Sequence, residues 1–233
     1  YEILRCLVGS EMCIRDRPKF IPEDSIEISM QDNIRLKVRM IDCVGYVLPS
    51  SEGYIEDDQP RMVMTPWYDE EIPFNMAAEI GTKKVIQEHS TIGLVVTTDG
   101  SISSIPREEY EEAEERVISE LKELNKPFVV LLNSVNPEED SVIQMGSELS
   151  QKYNVPVLPV NCLEITESEI KNILGNLLYE FPVESIGFDM PSWFKSLESD
   201  DKVRVSVTSS VKSLSAEIKN IRSVYKFADS LSE

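Results

Sequence analysis

Asp42 and Gly45 stand three residues apart at the end of an apolar run, Ile41-Asp42-Cys43-Val44-Gly45. A carboxylate so placed can hold Mg²⁺ through water, and a glycine, having no Cβ, lets its backbone N–H come close to a phosphate. Three further polar groups close apolar runs in the same way: Thr97-Thr98-Asp99, Asn133, and Asn161 with Cys162. Each has a plainer reading. An aspartate at a strand end serves equally as a turn former, and Asn133 can cap the turn that follows it. Thr97 to Gly100 makes a structural turn unaided. His89, the one histidine, fits a structural role near a helix end, and Glu108–Glu115 fits a solvated helix face. Only the order and spacing of the strand-end groups lift the chemical reading above these.

The elements that must position them are legible. Ile26, Ile28 and Met30 alternate with polar residues, Gln31-Asp32-Asn33 supplies turn chemistry, and Ile34, Leu36, Val38 and Met40 alternate again. This predicts a β-hairpin with one buried face, whose second strand runs on into Asp42. Tyr46 to Phe74 reads as a long irregular insertion. Its Tyr54, Trp67, Tyr68 and Phe74 argue for order beside a site, and for a self-association or partner surface. Asn75–Glu88 predicts a helix capped by Asn75. Ile92–Thr98 predicts a strand buried on both faces, closed by Asp99-Gly100. Pro106–Leu124 predicts a helix, Phe128–Leu132 a second buried strand, Glu138–Tyr153 a helix and Val155–Val160 a strand. Thr166–Tyr179 predicts a helix opened by a capping box of Thr166 and Glu169. Val203, Val205 and Val207 alternate as in a strand, and Ser209–Ser232 predicts an amphipathic helix.

Strand and helix in alternation mean βαβ units, hence an α/β fold with a mostly parallel sheet and an antiparallel hairpin. Ligands of such sheets lie at the C-terminal strand ends, where the polar groups fall. The Asp42–Gly45 run then has the DxxG form of the Walker B and switch segment of P-loop nucleotide hydrolases. The hairpin feeding Asp42 matches the translation-factor type of that topology. Asn133 takes the place of the Asn in the base-reading Asn-Lys-x-Asp motif, and Asn161-Cys162 that of the second base-side loop. Here the motif reads Asn-Ser-Val-Asn; the Asp that grips guanine is missing, which points away from GTP. No GxxxxGK[ST] occurs in the chain. In this topology it belongs one strand and helix before the hairpin, upstream of Pro18, so the domain is expected to lack its first strand and P-loop.

Charge and composition narrow the partners. Lys and Arg number 23 and Asp and Glu 42, a net charge of −19, which excludes a phosphate-gripping nucleic-acid binder. The same acidity disfavours direct binding to an anionic membrane, although a small basic partner could bridge the two. No apolar run approaches the ~20 residues of a transmembrane helix. The four cysteines, Cys6, Cys13, Cys43 and Cys162, form no zinc pattern and suit a reducing compartment. Tyr1–Arg17 has no period of 2 or 3.6 and resembles translated sequencing-adapter read-through, with a short exposed arm as the alternative. The chain opens on Tyr rather than Met, so a fragment is expected.

Long blocks carry a more specific resemblance: Arg39–Tyr46, Arg61–Trp67, Glu71–Phe74, Ala77–Lys84, His89–Ser101, Ala113–Lys122 and Tyr179–Val183. From Pro18 to about Trp193 the chain resembles the stage IV sporulation protein A family, spore-coat morphogenetic ATPases of endospore-forming bacteria. The resemblance implies a protein that binds ATP with Mg²⁺, hydrolyses it, and self-assembles into the basement layer of the coat. It implies a place in the mother-cell cytoplasm at the outer forespore surface, with a small amphipathic membrane-bound peptide and other coat proteins as partners. It matches Asp42 to the Walker B aspartate, while the Walker A lysine and switch threonine have no counterpart. The expected domains are residues 18–187, an ATPase domain without its P-loop, and 188–233, the start of a second, α+β domain. The fragment is expected to be inactive as it stands. A structural scaffold with a degenerate nucleotide site and a GTP-type switch are the alternatives.

Overall fold

The computed structural model describes residues 24–225, apart from 31–34, 52, 57, 58, 66 and 217. The expected hairpin is present: β1 (Ile26–Ser29) pairs antiparallel with β2 (Arg35–Val38), Ile28 facing Leu36. Its turn lies among residues outside the description. Ile28, Leu36 and Val38 are only half-buried and Ile26 is 71% exposed, so the apolar face is less covered than the alternation predicts. β2 also stops at Val38, and Ile41–Gly45 is not strand. Among the described residues this two-stranded ribbon has no third strand to carry its ladder onward. Gly45 then turns the chain at φ +79°, where a side chain would be strained.

The segment expected to be irregular holds two short antiparallel hairpins. β3 (Ile55–Glu56) pairs with β4 (Gln59–Pro60), and β5 (Met62–Thr65) with β6 (Tyr68–Pro73). Acidic residues and prolines hide these strands, because both types are depleted in sheets. α1 (Phe74–Lys84) follows β6 directly and ends in a π-helical turn, Val85–His89. Its N-cap position is Pro73, with no side-chain cap, and Asn75 lies inside the helix rather than capping it. Proline's fixed φ suits the step from strand to helix, so no capping side chain is needed to turn the chain. The ammonium of Lys126 closes the π-turn, reaching the carbonyls of Ile86, Gln87 and Ser90.

The main sheet is parallel, in the order β7 (Gly93–Thr98), β8 (Phe128–Asn133), β9 (Val157–Val160). α2 (Glu108–Glu123) and α3 (Asp140–Tyr153) connect these strands. Acidic residues fill the first turn of α2, where the helix dipole favours them. Every residue of β8 is buried. β7 was expected to be buried on both faces, yet Leu94 is 40% and Val96 49% exposed while Val95 and Thr97 are buried. Among the described residues β7 is an edge strand, and no element covers that face. The other face packs Val95, Ile118, Leu121, Phe128, Val130 and Leu132 into one core with Val142, Leu149 and Tyr153. Gly93 permits the closest approach in that core: a Cβ there would stand 3.0 Å from Phe128 Cβ.

The chain divides into two compact units between Ile173 and Leu174. The break falls inside α4 (Glu167–Tyr179), whose N-terminus carries the predicted capping box. Thr166 Oγ1 accepts the Glu169 N–H at 3.3 Å and the Glu169 carboxylate accepts the Thr166 N–H at 2.8 Å. The second unit adds the short α5 (Ser192–Lys195) and α6 (Lys202–Ser215). The valines expected to form a strand thus lie in a helix. Asp201 Oδ1 accepts the Val203 N–H at 2.8 Å, and this local cap starts a helix that the period-2 pattern did not reveal. The long helix expected over Ser209–Ser232 ends at Ser215; residues 221–225 are helical again, and 226–233 lie outside the described chain. Between them Pro182 bridges Asn220, Arg222 pairs with Glu180 at 2.6 Å, and Tyr179 meets Tyr225 edge-on at 5.4 Å. Among the described residues no helix is long and apolar enough to cross a membrane.

Candidate functional site

The three parallel strands deliver their polar ends to one place, where hydrogen bonds knit the loops together. Asn133, the buried last residue of β8, accepts the backbone N–H of Cys162 on its Oδ1 at 3.0 Å, joining the loops after β8 and β9. Asn161 works in the same seam: its Nδ2 donates to the Val135 carbonyl at 3.2 Å and its Oδ1 accepts the Leu163 N–H at 3.0 Å. Two of the expected base-side groups are therefore in direct contact, and the third braces the loop between them. Burial pushes the Cys162 thiol above its ordinary range, which keeps it a neutral thiol.

The loop after β7 joins through Asp99. Its Oδ1 accepts the Ser101 N–H at 2.9 Å and the Ser101 hydroxyl at 2.6 Å, an Asx-type turn. The same Ser101 hydroxyl accepts the Val135 N–H at 3.0 Å, tying the β7 loop to the β8 loop. Partial burial pushes the Asp99 carboxyl up, but hydrogen bonds from Ser101 and Ser134 outweigh it and hold the group below the usual carboxylate range. Thr97-Thr98-Asp99-Gly100 thus acts as the structural turn read from the sequence, and Gly100, at φ +92°, closes it.

A buried ion pair lies beneath this loop, between Arg107 and Glu114. Arg107 Nη2 donates to Glu114 Oε1 at 2.9 Å, and Nη1 reaches Thr97 Oγ1 at 3.4 Å. The Tyr153 hydroxyl donates to the same Glu114 oxygen at 2.6 Å. The Glu114 side chain is 2% exposed; its Oε2 lies 2.8 Å from Arg107 Nη2 but off the N–H axis, paired by charge without a hydrogen bond. Seven residues separate Arg107 and Glu114, two helical turns, so the spacing that aligns them was visible. Burial of that face was not.

Asp42 and Gly45 stand apart from this network. Asp42 is exposed, in the loop after β2. Gly45 is fastened to α1: its N–H donates to Thr82 Oγ1 at 3.0 Å, and that hydroxyl lies 3.2 Å from the Gly45 carbonyl. Burial pushes the Cys43 thiol up, against the opposing pull of the Gly45 amide and the Thr82 hydroxyl beside it. The next residue, Tyr46, donates to Glu120 Oε2 at 2.6 Å beneath the Arg116 guanidinium, 4.0 Å from the ring centre. Arg116 also pairs with Glu79 on α1. Among the described residues no group of three or more His, Cys, Asp or Glu is arranged to hold a metal. Mg²⁺ held through water by one carboxylate and by substrate phosphates needs no such cage, and an exposed Asp42 fits that donor set.

The family model described as stage IV sporulation protein A, ATPase domain, matches residues 7–182. The stage IV sporulation protein A of Bacillus subtilis (strain 168) is 46% identical over 216 residues, 93% of this chain and 44% of that protein. Its counterpart in Bacillus anthracis is 44% identical over 207 residues, 89% of this chain and 42% of that protein. That of Clostridioides difficile (strain 630) is 45% identical over 216 residues, with 93% and 44% covered. The chain therefore spans less than half the length of these curated relatives. No solved structure matches it.

Proposed function

The chain belongs to the stage IV sporulation protein A family, and from that premise we propose that it is part of an ATP-binding and ATP-hydrolysing morphogenetic protein of the spore coat. A sporulation protein with an ATPase domain follows from the family, and the mixed α/β fold is compatible with a P-loop nucleotide hydrolase. The observation that supports the finer reading is the bond from the Cys162 N–H to Asn133 Oδ1, which makes one surface of the loops after β8 and β9 where a base would lie.

In this reading Asp42 would hold Mg²⁺ through water, and the Gly45 N–H, bonded to Thr82 Oγ1 in this structure, is the donor that a terminal phosphate would take up. Mg²⁺ held there would supply charge neutralisation to the phosphates. Asn133 keeps the base-side loops in register, and Asn161 with Cys162 presents backbone to the base. Asn-Ser-Val-Asn at 133–136 offers no aspartate to a guanine, so ATP is the proposed substrate. Because no GxxxxGK[ST] occurs in this chain, we propose that it is inactive alone. Self-assembly into the basement layer is proposed too, with a small amphipathic membrane-bound peptide and other coat proteins as partners, in the mother-cell cytoplasm at the outer forespore surface. The exposed Met62, Met64 and Tyr68 on the β5–β6 hairpin support a contact surface there, since methionine and aromatic side chains are favoured at interfaces. A scaffold with a degenerate site is the second reading, favoured by the Gly45 amide being already engaged by Thr82.

The deciding experiment places Asp42→Ala in the full-length protein and follows ATP and GTP turnover. Hydrolysis falling about 100-fold or more with nucleotide binding retained is expected, as for loss of a transition-state charge partner. Unchanged hydrolysis removes Asp42 from the mechanism, and a GTP preference overturns the choice of base.

A further inference from the structure

Thr82 is 1% exposed, and its hydroxyl is committed to a residue 37 positions away. It accepts the Gly45 N–H at 3.0 Å and donates to the Gly45 carbonyl at 3.2 Å, a two-way clasp on a single residue. Helical threonines often return their hydroxyl to the carbonyl one turn back instead. Among the described residues the Asp42–Gly45 turn has no strand pairing to hold it, since β2 ends at Val38. It is held by α1 through Thr82, with the Cys43 thiol lying against the same hydroxyl and amide.

We infer that Thr82 is a positioning residue for the Gly45 amide, holding that donor while the site is empty of phosphate and releasing it when a nucleoside triphosphate binds. The inference rests on the reading of Asp42–Gly45 as the phosphate-facing turn. One N–H serves one acceptor well at a time, so the Thr82 hydroxyl and a terminal phosphate oxygen compete for it. The competition discriminates: a triphosphate brings the competing oxygen and a diphosphate does not. α1 feels the exchange directly. One residue before Thr82, Gly81 lets the Trp67 ring come within 3.4 Å of where a Cβ would stand, so the same helix turn also carries the β5–β6 hairpin.

The test uses the full-length protein with Thr82→Val, which keeps the volume and removes the hydroxyl, and Thr82→Ser, which keeps the hydroxyl. Binding of a non-hydrolysable ATP analogue and of ADP is titrated for each. Valine is expected to raise the preference for the triphosphate about 3- to 10-fold, the worth of one released hydrogen bond, with ADP affinity unchanged. Serine is expected to keep the wild-type ratio. A second readout is the alkylation rate at Cys43, followed site by site by mass spectrometry. It is expected to rise with the triphosphate over ADP in wild type, and to be fast with either nucleotide in the valine variant. An unchanged ratio in the valine variant, or equal losses for both nucleotides, overturns the inference and leaves Thr82 a packing residue. Wild type that binds neither nucleotide overturns the phosphate-facing reading itself, an outcome seen before any variant is made.

Discussion

Asn133 on β8 reaches the loop after β9 through one bond, its Oδ1 accepting the Cys162 backbone N–H at 3.0 Å. The side chain is buried, so its partner has little water to turn to if the bond is lost. A strand-end asparagine here acts on the neighbouring loop's backbone, and base recognition would follow from that loop's shape.

Asn133→Ala is therefore expected to cost about 1 kcal/mol of stability and to weaken ATP binding in the full-length protein. Asn133→Asp, which keeps an acceptor at Oδ1, is expected to retain more of both. Urea denaturation with nucleotide titration separates them; equal behaviour of the two variants would show that the bond is idle.

Arg107 and Glu114 make a buried pair, with side chains 12% and 2% exposed. Arg107→Met strands the carboxylate beside the Tyr153 hydroxyl and is expected to cost about 3–5 kcal/mol. Adding Glu114→Leu to the same chain is expected to recover most of that loss, since a buried pair replaced whole by apolar groups is often neutral. Chemical denaturation of the two singles and the double measures the coupling, and simple additivity would contradict it.

Gly93→Ala is expected to destabilise by about 1–3 kcal/mol, because the new methyl would sit 3.0 Å from Phe128 Cβ and 3.1 Å from the Leu121 methyls. All three positions lie in the packed core between β7, β8 and α2, where nothing can give cheaply. A melting temperature equal to wild type would show that the strand shifts freely.

Asp99 links stability to acid. Its folded carboxyl is held below the usual range, so the stability it contributes is fully present above the unfolded value of about 3.9 and is lost as pH falls through the lower folded value. The stability gap between wild type and Asp99→Asn is expected to be constant near neutral pH and to shrink toward pH 3. A gap that is the same at both ends of that range would refute the assignment.

The capping box of α4 is fully formed, so Thr166→Ala is expected to cost about 1 kcal/mol. Glu169→Ala should cost part of that, and thermal unfolding of the pair reports whether the two act as one unit.

Where local chemistry and tertiary need agree, residues declared their structure unaided. The run Phe128–Leu132 announced a buried strand because only a two-sided environment suits five apolar residues in a row, and Thr166 with Glu169 announced a helix start because the bonds close within four residues. The strand-end order of Asp99, Asn133 and Asn161 followed from the same alternation. The pattern misled where local order and long-range contact compete. Val203, Val205 and Val207 alternate like a strand, but Asp201 caps a helix over them. Asp69, Glu70 and Glu71 look unfit for a strand, yet they lie within β6, in the irregular stretch between the pairs Thr65–Tyr68 and Val63–Ile72.

What the sequence determined by itself is the parallel α/β framework, the ends of β7, β8 and β9 and the family to which the chain belongs, because period and near-verbatim blocks are written along the chain. Only the tertiary structure decided that Asn133 holds Cys162, that Arg107 and Glu114 are buried together, and that Gly45 is clasped by Thr82. Each of these bonds joins residues that the chain brings together only after the helices and strands have packed. No local propensity encodes such a meeting, since its energy comes from groups that are strangers until water has been squeezed from between them.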